Sequence, residues 1–245
     1  MKLFRVFAIG VAFIGTWHLF TFLSGIQPFI LPSPVQVGAA LVNHFYDLIG
    51  HTLTTFIEIM LGLIFGTILG ALCALVMIVF RSARIWLLPI LVTSQAVPVF
   101  ALAPILVIWL GYGMTSKIAM ATLIIFFPVT AAMFDGLRQT KQGFLDLANT
   151  MNASRWAALI HVRIPAALPS FASGLRVATA VAPIGAIVGE WVGSSEGLGF
   201  MMLHANARMQ IDLMFAALFI LAIMAVTLYF IIDQFLQKFI VPHYY

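Results

Sequence analysis

Long apolar runs separated by short polar stretches dominate this chain. Six of these runs reach the ~20 residues with which an α-helix crosses about 30 Å of hydrocarbon. They cover residues 4–23, 53–80, 85–111, 116–136, 171–192 and 213–237. A β-barrel would instead show alternating segments of about ten residues. The pattern therefore predicts an all-α integral membrane protein with about six transmembrane helices, in one domain that covers residues 1–245.

Two polar stretches interrupt this pattern and mark surfaces outside the hydrocarbon. The longer stretch, residues 137–165, lies between two apolar runs, and its charges would cost several kcal/mol inside a bilayer. The shorter stretch follows the first run and begins with the turn-forming sequence LPSP at residues 31–34. Polar side chains such as Asn43 and Asp47 then interrupt the apolar residues of 35–48, which predicts an amphipathic helix at the membrane interface.

The placement of the basic residues predicts the orientation, although only 8% of all residues are charged, against roughly 25% in a soluble domain. Cytoplasmic loops of membrane proteins carry an excess of Lys and Arg. With the N-terminus inside, ten of the twelve face the cytoplasm: Lys2, Arg5, Arg81, Arg84, Arg138, Lys141, Arg155, Arg163, Arg176 and Lys238. Only Lys117 and Arg208 then lie outside. We therefore expect two cytoplasmic termini, a cytoplasmic 137–165 segment and an uncleaved first helix.

Glycines recur at four-residue spacing on one face of two predicted spans. They are Gly62, Gly66, Gly70, Gly185, Gly189 and Gly193. Without side chains, such a face lets another helix backbone approach closely. The spacing indicates helix packing within one subunit, with a pathway-lining or subunit-interface role as the alternative.

Prolines predict bends in the third span, which contains Pro89, Pro98 and Pro104. A proline removes a backbone donor, and the carbonyls it frees need a partner or a water-lined cavity. Ser94 and Gln95 precede the middle proline, so this bend is a candidate part of a transport pathway. Packing kinks without a functional role are the alternative.

Two acids, Glu58 and Glu190, lie within predicted spans. An acid at that depth is a functional candidate by default, because it is expensive to place in hydrocarbon. A structural ion pair or a position at the interface explains each of them equally well.

Motifs for catalysis and nucleotide binding are missing from the sequence. Residues 113–117 lack the spacing of a GxxxxGK[ST] phosphate loop, and no HExxH zinc motif occurs. The single cysteine, Cys73, excludes an intrachain disulfide or a Cys-based metal site. Ser194 and Ser195 precede His204 but flank a short turn, which disfavours an intramembrane serine protease. We expect no enzyme, no metal site and no nucleic-acid binding.

The polar 137–165 segment carries a family signature. It resembles the EAA loop of ATP-binding-cassette (ABC) importer permeases, in which EAA is followed by three residues, a glycine, nine residues and I-x-L-P. The matching residues are Asp146-Leu147-Ala148, Asn152-Ala153-Ser154 and Ile164-Pro165. Asp146 and Leu147 stand in place of the first Glu and Ala, and Asn152 stands in place of the glycine. Since Asn accepts left-handed backbone geometry, we expect the turn to persist.

Further motifs are similar to those of the nitrate/sulfonate/taurine group of these permeases. They lie at residues 31–34, 111–113, 153–156, 165–169 and 197–199. Within this group, residues 181–195 together with 204–210 are most similar to permeases for thiamine-precursor pyrimidines such as hydroxymethylpyrimidine.

The resemblance implies a type I ABC importer permease in a bacterial inner membrane. Two copies would form the pathway, cytoplasmic subunits with ATP and Mg would dock on the 137–165 segment, and a periplasmic or lipid-anchored binding protein would deliver the solute. The resemblance implies ATPase contacts from Asp146, Leu147, Ala148, Asn152, Ala153, Ser154, Arg155, Ile164 and Pro165. We expect Ala148, Ala153, Ala157 and Ala158 to form a small-residue docking face.

Candidate residues for the substrate pathway can be chosen only from their position in the predicted spans and loops and from the polarity of their side chains. They are Ser94, Gln95, Glu190, Trp191, His204, Asn206 and Arg208. A pyrimidine would suit stacking on Trp191 and hydrogen bonds from Gln95 or Asn206. Sulfonates, taurine, nitrate-like anions and aromatic acids are alternative substrates. An ion-driven secondary transporter is a further alternative. Such a protein would be expected to contain inverted repeats, and the sequence shows no convincing repeat.

Overall fold

The computed structural model describes the backbone of residues 2–240 and the side chains of residues 8–240, and every regular element in that part of the chain is helical. The helices are α1 (Lys2–Ser24), α2 (Pro34–Asn43), α3 (Phe45–Val79), α4 (Arg81–Ser94), α5 (Val99–Leu110), α6 (Met114–Arg138), α7 (Gln142–Thr150), α8 (Arg155–Ala158), α9 (Ile164–Gly193), α10 (Leu198–Ala207) and α11 (Ile211–Phe235). Leu159–Arg163 and Leu236–Ile240 are π-helical. The all-α prediction is confirmed. The side chains of Lys2 and Arg5 and the chain end at 241–245 lie outside the described residues.

Four helical stretches are long and apolar enough to cross a membrane. They are Phe45–Val79, Met114–Arg138, Arg155–Gly193 and Ile211–Ile240. Helices α4 and α5 add a fifth span if they are counted together. The part of α1 with described side chains, Ala8–Ser24, is apolar but shorter. The six predicted runs thus correspond to helices of the structure, but not all of them are single long helices.

Helices α3, α6 and α9 form the centre of the molecule, and glycines set the distances between them. A Cβ atom on Gly62 of α3 would lie 2.5 Å from the Cβ of Ala121 in α6. A Cβ atom on Gly185 of α9 would lie 2.7 Å from the Cα of the same alanine. Ala121 is therefore packed between two glycine faces. This confirms that the glycine spacing reflects packing within one subunit.

The predicted span at residues 85–111 is not one helix. Helix α4 ends at Ser94, α5 begins at Val99, and the two axes differ in direction by 106°. Pro98 cannot donate a backbone hydrogen bond, and its ring disfavours helical geometry at Val97, which favours an end of α4 before this point. The sequence predicted a bend here but not a complete break.

The interface helix predicted at residues 35–48 is shorter in the structure and is followed directly by α3. A capping box begins α2: the Ser33 N–H donates to Gln36 Oε1 at 2.8 Å, and the Gln36 N–H donates to Ser33 Oγ at 3.4 Å. The helix ends at Asn43, and α3 begins at Phe45, well before the span expected from residue 53. With 35 residues, α3 exceeds the ~20 that a bilayer needs, so part of the helix extends beyond the hydrocarbon.

The chain from Arg155 to Gly193 is one continuous helical stretch of 39 residues. The span predicted at residues 171–192 lies within this stretch, so its helix begins 16 residues earlier than predicted. Pro165 lies in the first turn of α9, where no intrahelical N–H bond is lost, and Pro169 lies inside the helix. The π-helical turn joins α8 to α9, and its Leu159 packs in a buried cluster with residues of α3 and α6.

Candidate functional site

Polar groups gather at the two opposite ends of the α3–α6–α9 core. One group surrounds the start of α10 and is called the α10 anchor; its side chains are His51, Thr55 and Glu190. The other is residues 137–165, which contain α7 and α8 and are called the coupling segment. Since α8 lies at one end of the 39-residue helical stretch and Glu190 near the other, a single helix connects them.

Side chains of α3 bind the first two N–H groups at the start of α10. The Gly197 N–H donates to Nδ1 of His51 at 2.9 Å. The Leu198 N–H donates to Oγ1 of Thr55 at 2.8 Å. The first N–H groups of a helix have no partners within the helix, and here another helix supplies them.

Glu190 of α9 binds the next two N–H groups, those of Gly199 and Phe200, through Oε2. Its Oε1 accepts a hydrogen bond from the Thr55 hydroxyl at 2.6 Å, and the side chain is buried, with 1% of the residue exposed. A carboxylate at a helix N-terminus also interacts favourably with the helix dipole. Four consecutive N–H groups of α10 are thus held by the core helices.

Two glycines make room for this carboxylate. A Cβ atom on Gly197 would overlap the Glu190 carboxylate, and one on Gly199 would lie 2.8 Å from its Oε2. Gly197 also has a φ of +111°, a conformation that side chains strongly disfavour. The Gly-Leu-Gly sequence at 197–199 therefore has a direct physical role in forming the anchor.

A buried ion pair adjoins the anchor. Lys117 Nζ lies 2.9 Å from Glu58 Oε1, both side chains are almost completely buried, and the Glu58 carboxyl group neighbours that of Glu190. Of the alternatives for Glu58, the structure shows the ion pair. Among residues 8–240 no three His, Cys, Asp or Glu side chains are grouped so that they could hold a metal ion.

The other predicted pathway residues are exposed in the single chain and lie on three elements. Ser94 and Gln95 are at the α4–α5 bend, where the Ser94 hydroxyl donates to the carbonyl oxygen of Leu91 at 2.7 Å. Trp191 is half-exposed at the end of α9. His204 and Asn206 belong to α10, and Arg208 follows it directly.

Sequence reasoning from single acids missed His51, Thr55 and Lys117. The first two have a recognisable signal, because residues 51, 55 and 58 are spaced four and three apart and so share one helix face. A polar stripe of this kind on an apolar helix predicts a buried polar contact. Lys117 has no such signal, because no other charged residue lies within one helical turn of it.

The coupling segment forms two helices around a tight turn. Asn152 has a φ of +56°, which confirms the left-handed geometry expected where the family has glycine. The Ala153 N–H donates to the carbonyl oxygen of Ala148 at 2.9 Å and closes the end of α7. The Ser154 hydroxyl then accepts from the Ala157 N–H at 3.1 Å and begins α8.

An apolar groove of about 570 Å³ runs along one face of the coupling segment. The four alanines predicted to form a docking face all line it. Its exposed rim includes Leu147 and Met151, which are 58% and 74% exposed. Asp146 and Arg155 are exposed, and Asp146 accepts a hydrogen bond from Gln142 Nε2 at 2.9 Å. Ile164, in contrast, packs against the core.

Comparison with known families defines the class of protein. Residues 62–243 match the family described as the inner membrane component of binding-protein-dependent transport systems. The chain belongs to this family. It is therefore a multi-pass ABC importer permease, and the family is one of transport proteins rather than enzymes.

Individual proteins of known sequence or structure are also similar to this chain. The chain is 55% identical over 240 residues to a probable ABC transporter permease protein of Haemophilus influenzae, and the match covers 98% of both chains. It is 37% identical over 211 residues to the formylaminopyrimidine transport permease protein ThiX of Halalkalibacterium halodurans, covering 86% of this chain and 84% of the relative. Among solved structures, the inward-facing MetNI methionine ABC transporter matches with a TM-score of 0.60 at 18% identity, over 81% of this chain and 95% of that chain. This likeness confirms the type I importer permease fold.

Proposed function

We propose that this permease works as a homodimer in a bacterial inner membrane, with the coupling segment in the cytoplasm and the α10 anchor on the outer side. Two cytoplasmic ATPase subunits, which hold ATP and Mg, dock on the coupling segments. A periplasmic or lipid-anchored binding protein delivers the solute on the α10 side. Membership in the binding-protein-dependent family supports this assembly.

The distribution of basic residues supports the orientation. In the described part of the chain, basic side chains cluster at the end of the core that carries the coupling segment. They are Arg81, Arg84, Arg138, Lys141, Arg155 and Arg163. Lys and Arg are enriched in cytoplasmic loops, so this end is the cytoplasmic one.

The continuous helix from Arg155 to Gly193 is the observation that carries the mechanism. Its 39 residues span about 58 Å at 1.5 Å per residue. Its first turn belongs to the coupling segment, and Glu190 near its other end holds α10. When the ATPase subunits close on ATP and displace the coupling segment, the helix tilts and carries α10 with it. Hydrolysis and product release reset the helix.

The apolar groove supplies the docking surface. Exposed Leu147 and Met151 stand at the rim of a floor made of alanines, so a partner surface can approach the helix closely. Large exposed apolar side chains beside such a groove are typical of a protein–protein interface. Asp146 and Arg155 add charged contacts at the edge of this interface.

A thiamine-precursor pyrimidine is the proposed substrate. The 37% identity to a formylaminopyrimidine permease supports it, as do an exposed indole at Trp191 and exposed amides at Gln95 and Asn206. A planar heteroaromatic ring can stack on the indole while the amides bind its nitrogen and oxygen atoms. A sulfonate, taurine, nitrate-like anion or aromatic acid is the second candidate, because Arg208 is exposed directly after α10.

Co-purification with the ATPase tests the assembly. We expect the wild-type chain to purify with an ATPase pair and its binding protein, and the double variant Asp146→Arg/Arg155→Glu to lose the ATPase or its stimulated hydrolysis. The matched control is Glu196→Arg/Lys238→Glu, which makes the same charge changes at exposed positions outside the coupling segment. An ATPase that remains bound to the first variant, or transport that persists without ATP, contradicts the proposal and favours an ion-driven transporter.

Ligand binding to the co-purified binding protein tests the substrate. We expect titration with hydroxymethylpyrimidine and formylaminopyrimidine to give saturable binding, whereas taurine and nitrate give none. The permease itself is tested by uptake, which Trp191→Ala and Gln95→Ala should lower. Binding of a sulfonate instead, or uptake unchanged in both variants, contradicts the pyrimidine proposal without affecting the assembly.

A further inference from the structure

A second groove of about 650 Å³ lies on the other face of α7. The apolar groove uses α7 positions 144, 147, 148 and 151, whereas this one uses positions 142, 145 and 149. Its far wall is the end of α3, from Ile78 to Val79, and Phe80 after it. We call it the basic groove. It opens on the opposite side of α7 from the apolar groove, although Ala153 and Ala158 line both grooves and Arg155 also stands at the edge of the proposed ATPase interface.

Cationic and amide groups line one side of the basic groove. Arg155 and Arg163 supply two guanidinium groups, and Gln142 and Asn149 supply carboxamides that can donate hydrogen bonds. No ion pair to either arginine occurs among the side chains of residues 8–240, and no acidic residue lines the groove. Two positive charges thus face one cavity without a negative partner from the described chain.

Apolar groups line the opposite side, at the level where a membrane span ends. Val79 is the last residue of α3, one of the four helices that can cross the membrane, and Phe80 after it is 57% exposed. Trp156 also lines the groove and is 60% exposed. Tryptophan is enriched at the boundary between hydrocarbon and water. An apolar wall that ends in exposed aromatic side chains, opposite a cationic wall, is the lining expected of a site at the membrane surface.

We propose that the basic groove binds the phosphate headgroup of an anionic phospholipid. The guanidinium groups of Arg155 and Arg163 contact the phosphate oxygens, the amides bind the remaining polar atoms, and the start of an acyl chain lies along Val79 and Phe80. Basic pockets beside spans on the cytoplasmic side are suited to anionic headgroups. A free phosphate compound would match the cationic side of the groove but leave its apolar side in contact with water.

Bound lipid tests this proposal directly. The full chain is reconstituted in membranes of equimolar dioleoylphosphatidylglycerol and dioleoylphosphatidylcholine, extracted in mild detergent, and analysed for retained lipid by native mass spectrometry. We expect enrichment of phosphatidylglycerol on the wild type. Each arginine removed should reduce this enrichment about fivefold, so Arg155→Gln/Arg163→Gln should nearly abolish it. Arg155→Lys/Arg163→Lys should retain most of it, because the charge persists.

The control is Lys238→Gln, which removes an exposed cation outside the groove and should leave the enrichment unchanged. If the double variant does not fold, the single variant Arg155→Gln, at an exposed position, is measured instead and should show about a fivefold lower phosphatidylglycerol enrichment. Equal enrichment in wild type and arginine variants overturns the proposal. So does displacement of the lipid by inorganic phosphate at equal concentration, which would indicate a site for a soluble phosphate. The assay contains no ATPase, so its failure is distinct from failure of the proposed assembly.

Discussion

Glu190 illustrates at the residue scale how one buried carboxylate joins three helices. It lies on α9, accepts the Thr55 hydroxyl of α3, and accepts two N–H groups of α10. A buried carboxylate is costly unless its oxygens are hydrogen-bonded, and here both oxygens have donors. Gly197, which precedes α10, has no side chain to cap the helix, so Glu190 supplies acceptors that a capping side chain would otherwise supply.

Replacing Glu190 tests this dependence. Glu190→Ala leaves the N–H groups of Gly199 and Phe200 without their acceptor, and each buried donor without a partner costs about 1–3 kcal/mol. The Thr55 hydroxyl can still donate to the carbonyl oxygen of His51 at 3.1 Å. We expect the free energy of unfolding of the purified chain to fall by at least about 2 kcal/mol. The decrease in the free energy of unfolding should be smaller for Glu190→Gln, because this variant keeps one acceptor oxygen. The control is Glu196→Ala, at an exposed position nearby, with a change within about 0.5 kcal/mol. Equal effects of Glu190→Ala and Glu196→Ala would contradict the anchor.

Sequence reasoning identified Glu190 as important from its depth in an apolar run, but not what it binds. The polarity of a side chain and its position within an apolar run can be inferred from the local sequence. Its partners come from α3 and α10, and their approach depends on packing that no local pattern encodes. The turn at Asn152 is the opposite case: its left-handed geometry was predictable because backbone preference is a local property.

At the element scale, α3 contains both open and closely packed glycines, and this allows an internal comparison. A Cβ added to Gly50 would have no neighbouring atom within 4 Å, whereas a Cβ on Gly62 would lie 2.5 Å from Ala121 Cβ. We expect Gly50→Ala to stabilise the chain by up to about 1 kcal/mol through helix propensity. Gly62→Ala should destabilise it by about 1–3 kcal/mol through overpacking against α6. Denaturant unfolding of both variants in the same detergent measures the two changes in the free energy of unfolding. If both changes had the same sign, the glycine face would not set the α3–α6 distance.

Hydropathy predicted where most helices lie but not where they break or join. The apolar run at 85–111 contains three prolines, and two of them, Pro89 and Pro104, lie inside helices of the structure. The local sequence predicts a bend at each proline but does not show that only the one at Pro98 accompanies a complete break. Conversely, the fifth apolar run begins only at residue 171, yet the helix that contains it begins at Arg155. A proline in the first turn of a helix costs no hydrogen bond, and the π-helical turn Leu159–Arg163 directly precedes it, so the helical stretch stays continuous.

At the scale of the whole molecule, the break between α4 and α5 bears on the proposed transport pathway. Backbone that leaves helical geometry at membrane depth is tolerated only where it is buried in protein or lines a water-filled cavity. In the single chain, Gln95 and its neighbours at the break are exposed. Facing lipid would leave these backbone groups without partners, so in the proposed homodimer we expect the break to lie against the second copy or along the aqueous pathway between the copies.

Cysteine labelling distinguishes water from lipid at this position. In a Cys73→Ala background, we expect a Gln95→Cys variant of the assembled importer to react with a membrane-impermeant methanethiosulfonate, because only thiolates in contact with water react quickly. The control is Leu91→Cys, one turn earlier on α4 and only 8% exposed, which should react at least about tenfold more slowly. A bound pyrimidine should slow the labelling of Gln95→Cys if this break contacts the substrate. Equal rates at both positions would show that the break is not in the aqueous pathway, and the assignment of Ser94 and Gln95 to that pathway would fail with it.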